Sequence, residues 1–302
     1  MNNFIRIFVI IIYIQWDLFA EELSSSPFPL NPVGSATSQN STSMDANSFA
    51  ICLAVRDDED IVEWIEYHWR KGCSKFYVFD NFSHPPLKAL VQSYIDRGIV
   101  SYSYTVEEMK PNPQIFIYQQ CLSRYGRLHK FMGFIDVDEF IVTVDNNTNI
   151  PSILKNYEHL GGLALSWMSF GSSGHIQRPN GGVIGNYNRC GPNKHIKSIV
   201  NTKYTIGTTT NTHAFKYKQN YTAQTTGGEI VLSAWADKPV YDIIYINHYC
   251  TKSKQDFQRK KKRGGGAGRI ATDAWFEKIN RDFNNICSVL TMPSLPKGLK
   301  GL

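Results

Sequence analysis

Two acidic residues follow an apolar run in the middle of the chain. Asp136 and Asp138 are separated by Val137 and come directly after residues 131–135, Phe-Met-Gly-Phe-Ile. In extended backbone, residues two apart point to the same side, so the pair presents two carboxylates together while Val137 packs inward. Mg²⁺ and Mn²⁺ prefer carboxylate and phosphate oxygens. The pair therefore predicts a metal site that neutralises a diphosphate, although Asp-x-Asp alone also occurs in solvated turns.

Short apolar runs alternate with segments of helical period before this pair. Such alternation predicts right-handed crossovers and an α/β fold with a mainly parallel central sheet flanked by helices. Its ligand crevice is expected at the carboxyl ends of the strands, where the acidic pair lies. The predicted strands cover 49–55, 75–79, 99–104 and 131–135. The predicted helices cover 61–71, which Gly72 should end, 87–97 and 114–125, and a polar helix is predicted late in the chain from 272 to about 286.

Polar side chains also follow the first two predicted strands. Arg56 could hold phosphate or base oxygens with its fork of donors, or it could pair with Asp57 or Asp60. Asp80 and Asn81 could accept hydrogen bonds from a ribose or a base, or form a simple turn. These positions predict a nucleotide site along one edge of the sheet.

Most of the excess positive charge lies in one segment. The chain has 302 residues and a formal net charge of +6, concentrated between 252 and 269. A local anionic ligand explains this better than nucleic acid, because no zinc-finger spacing or RNA-recognition signature accompanies it. The alternative is a solvated helix face.

No Gly-x-Ser-x-Gly elbow, Walker loop or Cys-x-x-Cys pair is present in the sequence. The absence of these motifs disfavours a hydrolase, a kinase and a structural zinc site.

Three segments are predicted along the chain. Residues 1–20 have a basic start and a short apolar run, which predicts a signal peptide or a short signal anchor with possible membrane association. Residues 21–47 are rich in Ser, Pro and Thr and predict a flexible stem, and 48–295 form the main domain. Four Asn-x-Ser/Thr sequons favour the secretory pathway, with the Golgi lumen as the expected compartment, or secretion if the leader is cleaved. The six scattered cysteines allow one or two disulfides.

The segment Phe134-Ile-Asp-Val-Asp-Glu-Phe140 resembles the metal site of glycosyltransferases of the GT-A fold. The wider chain, over about residues 50–290, is similar to glycosyltransferase family 92. The blocks that carry this resemblance are Arg56-Asp-Asp-Glu-Asp60, Glu63-Trp-Ile-Glu-Tyr-His68, Phe76-Tyr-Val-Phe-Asp-Asn81, Trp167-Met-Ser-Phe-Gly-Ser-Ser-Gly174 and His248-Tyr-Cys-Thr-Lys-Ser253, continued by Lys260 and Arg263.

The resemblance implies a GT-A-like nucleotide-sugar-binding fold and an inverting transfer of a hexose, usually galactose, from a UDP-hexose or similar donor to a glycan. It implies Mn²⁺ (or Mg²⁺) held by Asp136, Asp138 and His248, although a histidine after an apolar strand is more often structural. The implied donor contacts are Arg56, Asp80, Asn81, Asp136, Lys252, Lys260 and Arg263, and the implied acceptor contacts are Trp167 and Gly171.

Inversion by a single displacement needs a general base near the acceptor hydroxyl. Glu229 and Asp237 lie between the two late blocks and are the candidates, although either could be an ordinary surface carboxylate. The competing hypothesis is a catalytically inactive glycan-binding paralogue of the same fold. Intact Asp136 and Asp138 favour the enzyme.

Overall fold

The computed structural model describes residues 48–109, 112–264 and 271–295. The predicted leader at 1–20 and the predicted stem at 21–47 lie outside these residues. Within the described part of the chain, no helix has the length and apolar character needed to cross a bilayer.

The described residues contain thirteen strands and six α-helices. The strands are β1 Phe49–Val55, β2 Lys75–Asp80, β3 Val100–Tyr104, β4 Phe131–Phe134, β5 Glu139–Thr143, β6 Gly162–Phe170, β7 Arg189–Asn201, β8 Thr205–Thr208, β9 Phe215–Tyr217, β10 Ala223–Gln224, β11 Ile230–Val231, β12 Ile244–His248 and β13 Asn285–Ile286. The helices are α1 Ile61–Arg70, α2 Gln92–Asp96, α3 Pro113–Tyr125, α4 Ile150–Leu154, α5 Lys254–Arg263 and α6 Asp273–Asp282.

The central sheet confirms the predicted α/β class, with a mixed strand order. Strands β3, β2, β1 and β4 are all parallel, as the alternation of strands and helices predicts. The sheet then continues through the antiparallel strands β7 and β6. Strand β12 pairs parallel with β6 and antiparallel with β5. This last pairing joins the late part of the chain to the strand that follows Asp138.

Strand β1 is buried on both faces because a layer of helices covers each side. Ile51 and Leu53 pack in the same cluster as Trp64 of α1. Ala50 and Cys52 point the other way and pack with residues of α3. The alternation of side chains along one apolar strand thus supplies two cores.

Two predicted helices differ from the structure. The segment predicted as a helix at 87–97 divides into a 3₁₀ turn, Leu87–Val91, and the short helix α2. The polar helix predicted from 272 to about 286 ends at Asp282, and the chain continues into β13 beside β7. A disulfide between Cys190 and Cys287 fastens this segment to β7, so an extended pairing replaces the last helical turn.

Candidate donor and metal site

The acidic pair lies in a turn between β4 and β5, not in the extended backbone expected from the sequence, so Asp136 and Asp138 contact different groups instead of facing one ligand together. Val137 is buried, as predicted. The backbone N–H of Glu139 donates to the carbonyl of Asp136 at 3.0 Å, and the N–H of Asp136 donates to the Glu139 carboxylate at 2.8 Å. These reciprocal bonds fix the turn, so the two aspartates leave it in set directions.

Asp138 lies between a histidine and a lysine from the late part of the chain. Its Oδ1 is 3.7 Å from Nε2 of His248, and its Oδ2 accepts a hydrogen bond from Nζ of Lys260 at 2.8 Å. Strand pairing explains the first contact, because His248 of β12 lies opposite Glu139 of β5. Burial opposes ionisation of Asp138, but Lys260 and His248 outweigh it and hold the pKa of Asp138 well below its usual range.

Asp138 and His248 have the donor types that a divalent cation needs. Two ligands about 2.1 Å from one ion can be at most about 4.2 Å apart, so the 3.7 Å between Asp138 Oδ1 and His248 Nε2 allows a shared ion. Nδ1 of His248 is buried without a hydrogen-bond partner among the described residues. The pair could therefore supply two ligands to a divalent cation.

Asp136 contacts a different set of groups. Its Oδ1 accepts hydrogen bonds from the Tyr118 hydroxyl at 3.2 Å, from the amide of Gln114 and from Nζ of Lys197 at 3.1 Å. Across the described residues, no three His, Cys, Asp or Glu side chains are grouped so as to hold a metal. The three-residue ligand set implied by the resemblance is therefore not assembled here, since Asp136 faces Lys197.

Lys197 is a site residue that the sequence reasoning missed. Its side chain, on β7, is 1% exposed, and its Nζ is 3.8 Å from Oε2 of Glu139 as well as 3.1 Å from Asp136. Burial opposes its charge, but the carboxylates of Asp136 and Glu139 outweigh it and raise the pKa of Lys197. The available signal was a lysine in the largely apolar run Ile196-Lys-Ser-Ile-Val200, a segment for which no strand was predicted.

A cavity of about 400 Å³ opens beside Asp138. Lys252, Lys260 and Arg263, three of the predicted donor contacts, line it. Nζ of Lys252 is 3.3 Å from both carboxylate oxygens of Asp58. Arg263 donates to the carbonyls of Arg56 at 2.6 Å and Asp57 at 2.9 Å. Helix α5 is thereby attached to the loop after β1, and its cations face the cavity.

Arg178 strengthens this wall and was also missed. Its guanidinium contacts the carboxylates of Asp60 and Asp256, the latter at 3.0 Å. Lys252 contacts Asp60 from the other side. Burial opposes ionisation of Asp58, yet Lys252 and Arg263 outweigh it and lower the pKa of Asp58. The wall therefore consists of paired charges rather than isolated lysines.

Two predicted donor residues have internal roles instead. Asp80 is fully buried, and its carboxylate accepts hydrogen bonds from the N–H groups of Ser83 and Leu87 and from the Tyr102 hydroxyl. The side chain of Asn81 accepts from the N–H of Met109 at 3.1 Å. These side chains hold the loops after β2 and β3, because their oxygens are already paired with protein donors. The turn interpretation describes them better than ligand contact.

Arg56 likewise points away from the cavity. Its guanidinium pairs with Glu108, and its Nε is 3.5 Å from Asp57, the pairing considered as the alternative from sequence. Its carbonyl oxygen accepts a hydrogen bond from Arg263, which lines the cavity.

The predicted acceptor and base residues do not line this cavity. Trp167 is buried, with its ring centroid 4.0 Å from that of His248. Gly171 packs against α6, where a Cβ would approach Oδ1 of Asn280 to 2.8 Å, so it has a packing role. Both carboxylate oxygens of Glu229 accept backbone N–H bonds, from Asp237 at 2.6 Å and Lys238 at 3.1 Å. Asp237 is exposed.

Residues 47–282 match the family model described as glycosyltransferase family 92. The chain belongs to glycosyltransferase family 92. It is 28% identical over 234 residues to a family 92 protein of Oryza sativa subsp. japonica, covering 75% of this chain and 36% of that protein. A family 92 protein of Ricinus communis is also 28% identical over 235 residues, covering 75% and 38%. The chain thus spans little more than a third of the length of these relatives.

Among solved structures, the chain is similar to S. aureus TarS 1-349 in complex with UDP-GlcNAc. The likeness has a TM-score of 0.38 and 13% sequence identity, and covers 72% of this chain and 65% of that one. The family resemblance inferred from the sequence blocks is confirmed by the family match.

Proposed function

We propose that this family 92 chain is a metal-dependent, inverting glycosyltransferase. It would move a hexose, predicted to be galactose, from a nucleotide diphosphate donor to a glycan hydroxyl. The observation that supports this most is the placement of Asp138 between His248 and Lys260, at a cavity walled by Lys252 and Arg263.

The charge balance of the cavity favours a diphosphate that arrives with a cation. Five acidic and five basic side chains line it, so the wall is formally neutral. A diphosphate alone would add uncompensated negative charge in a partly buried place. A divalent cation on Asp138 and His248 restores the balance, and when bound it would neutralise charge on the leaving diphosphate. Lys260, released from Asp138, would then donate to a phosphate oxygen.

Asp237 is the better of the two predicted bases. A base must have a free oxygen within hydrogen-bond reach of the acceptor hydroxyl. Both oxygens of Glu229 are taken by backbone N–H groups, whereas Asp237 is exposed. We assign Asp237 the role of accepting the acceptor proton.

Two observations support a secretory location. The Cys190–Cys287 disulfide suits an oxidising compartment, and residues 1–20 predict a leader. Asn146 and Asn220 are exposed sequon residues, whereas Asn81 is buried. Expression through the endoplasmic reticulum should therefore give glycans on Asn146 and Asn220. If Asn81→Gln lowers the mass of the secreted protein by that of a glycan, Asn81 is glycosylated and this assignment is contradicted.

The test of the activity is release of nucleotide diphosphate from a panel of sugar donors with Mn²⁺. The intact protein is compared with Asp138→Asn and with the exposed control Asp96→Asn on α2. We expect donor-selective release that depends on Mn²⁺, a loss of roughly 100-fold or more in Asp138→Asn and no change in the control. Unchanged release in Asp138→Asn would overturn the proposed site. Glycan binding with no turnover of any donor would instead identify an inactive glycan-binding paralogue.

A further inference from the structure

A row of rings in contact leads from His248 to the protein surface. The Trp167 ring lies 4.0 Å from His248, and the His195 ring stacks on Trp167 at 5.0 Å with an interplanar angle of 19°. The next ring, Trp235, is 5.3 Å from His195 and 52% exposed. The row therefore joins the candidate metal site to a large aromatic side chain in solvent.

A β-bulge places His195 in this row. Ser166 of β6 lies opposite Ile196 of β7, but the next residue, Trp167, lies opposite Asn193, so Lys194 and His195 are extra residues in β7. Bulges redirect side chains and are common beside active sites. Here the bulge turns His195 onto the face of Trp167.

The exposed tryptophan is fixed by the same bulge. His195 and Trp235 form an isolated antiparallel bridge. On either side, the N–H of Ile196 donates to the carbonyl of Ala234 at 3.0 Å, and the N–H of Ala236 donates to the carbonyl of Lys194 at 2.9 Å. The backbone that carries Trp235 is thus attached to the central sheet, unlike that of a typical exposed loop residue.

Side-chain hydrogen bonds fix the ring as well. An indole N–H can only donate, so Nε2 of His195 accepts from Trp235 at 2.9 Å. The histidine must then carry its proton on Nδ1, which donates to Oδ1 of Asn193 at 2.9 Å. Asn193 donates in turn to the Ser169 hydroxyl at 2.9 Å. The indole face is held in one orientation before any ligand binds, which lowers the entropic cost of binding.

We propose that Trp235 is a stacking platform for a neutral oligosaccharide, the acceptor of the proposed transfer. An indole face suits the C–H face of a pyranose, because the ring is large, rigid and apolar while its N–H is already satisfied. The proposal rests on the proposed function, and it moves the acceptor platform from Trp167, which is buried, to a residue absent from the sequence-based set.

The test measures oligosaccharide binding directly. Saturation-transfer NMR titrations with cellotetraose, mannotetraose and galactotetraose are run on the intact protein and on Trp235→Ala, Trp235→Phe and Trp275→Ala. Trp275 on α6 is a partly exposed tryptophan outside the row, so it is the matched control. We expect at least one tetrasaccharide to bind, a roughly tenfold weaker Kd in Trp235→Ala, recovery of most of the affinity in Trp235→Phe and no change in Trp275→Ala.

The outcomes separate this proposal from the proposed function. UDP binding with Mn²⁺, measured by calorimetry on the intact protein and Asp138→Ala, reports the donor site alone. If the protein binds an oligosaccharide through Trp235 but does not bind UDP, the stacking platform is upheld and the proposed transferase function is overturned. UDP binding with no saturation of any tetrasaccharide, or with equal affinity in Trp235→Ala, would overturn the platform. Equal thermal midpoints of the variants exclude misfolding as the cause of a loss, and Trp235→Phe provides the second, conservative variant.

Discussion

Replacing Lys197 by methionine is expected to lower the free energy of unfolding by about 3–5 kcal/mol at pH 7. Methionine has a similar length and no charge, so the change removes the ammonium and little packing. Nζ of Lys197 is 3.1 Å from Oδ1 of Asp136 and 3.8 Å from Oε2 of Glu139. Removing one partner of a buried ion pair leaves the other charge uncompensated, which costs more than the pair contributes.

The loss should belong mainly to Glu139, because burial raises the pKa of that carboxyl well above its usual range and Lys197 is the group that most opposes the rise. That side chain is fully buried, and its Oε1 has no hydrogen-bond partner among the described residues. Asp136 is 32% exposed and keeps its contacts with Tyr118 and Gln114, so water and neutral donors still stabilise it. Replacing the Glu139 carboxyl by an amide as well should restore part of the stability, because no ionisable group then remains to lose Lys197 as its partner. We expect a coupling of about 1–3 kcal/mol between Lys197→Met and Glu139→Gln.

The assay is urea denaturation at pH 7 of the intact protein, both single variants and the double variant, with the m-values compared. Lys194→Met is the matched control, because Lys194 is an exposed lysine on the same strand and should change stability by no more than about 0.5 kcal/mol. The reasoning is refuted if Lys197→Met costs less than about 1 kcal/mol, or if its cost is unchanged in the Glu139→Gln background.

Three further outcomes are expected. Burial lowers the pKa of His68 to about 3. The free energy of unfolding should therefore fall as the pH drops below about 6.5, the pKa of histidine in the unfolded chain, by up to about 1.4 kcal/mol per pH unit. Denaturation at pH 7, 6 and 5 measures this dependence, and the same dependence on pH in His68→Leu would contradict the prediction. Replacing Cys190 and Cys287 by alanine should lower the free energy of unfolding by about 2–4 kcal/mol, because their bond spans 97 residues; coincident denaturation curves would count against this. Asp237→Asn should lower kcat by roughly 100-fold or more with the donor KM unchanged, whereas Glu229→Gln should retain most of kcat; the reverse order would exchange their roles.

The first half of the fold was predictable because its signals are local. The apolar run of β1 and the helical period of α1 each identify an element without reference to distant residues. Gly72, at a φ of +95°, ends α1 as predicted, because that backbone conformation favours glycine. The parallel order of β1, β2 and β3 follows from the handedness of the crossovers between them.

The position of Asp138 after a strand was also predictable from the local sequence. The residues that contact Asp138 were not, because they come from distant parts of the chain. His248 reaches it because β12 pairs with β5 in one particular register, and Lys260 reaches it because α5 lies against the loop after β1. Pairing between segments more than a hundred residues apart depends on how whole surfaces fit, and neither segment encodes the register by itself. The resemblance could suggest His248, but it could not give the distance or the buried environment.

The predictions that differ from the structure also depend on contacts between distant segments. Asp80 was correctly placed at the end of β2, but whether its oxygens face a ligand or the next loop depends on where Ser83, Leu87 and Tyr102 fold. Trp235 has no local pattern, because its orientation comes from a bulge in β7 that only the β6 pairing creates. The sequence by itself determined the α/β class, the family and the position of the acidic pair after a buried strand, since those depend on local periodicity and short blocks. Only the tertiary structure decided which charges and rings meet, because those contacts depend on register and packing between distant segments.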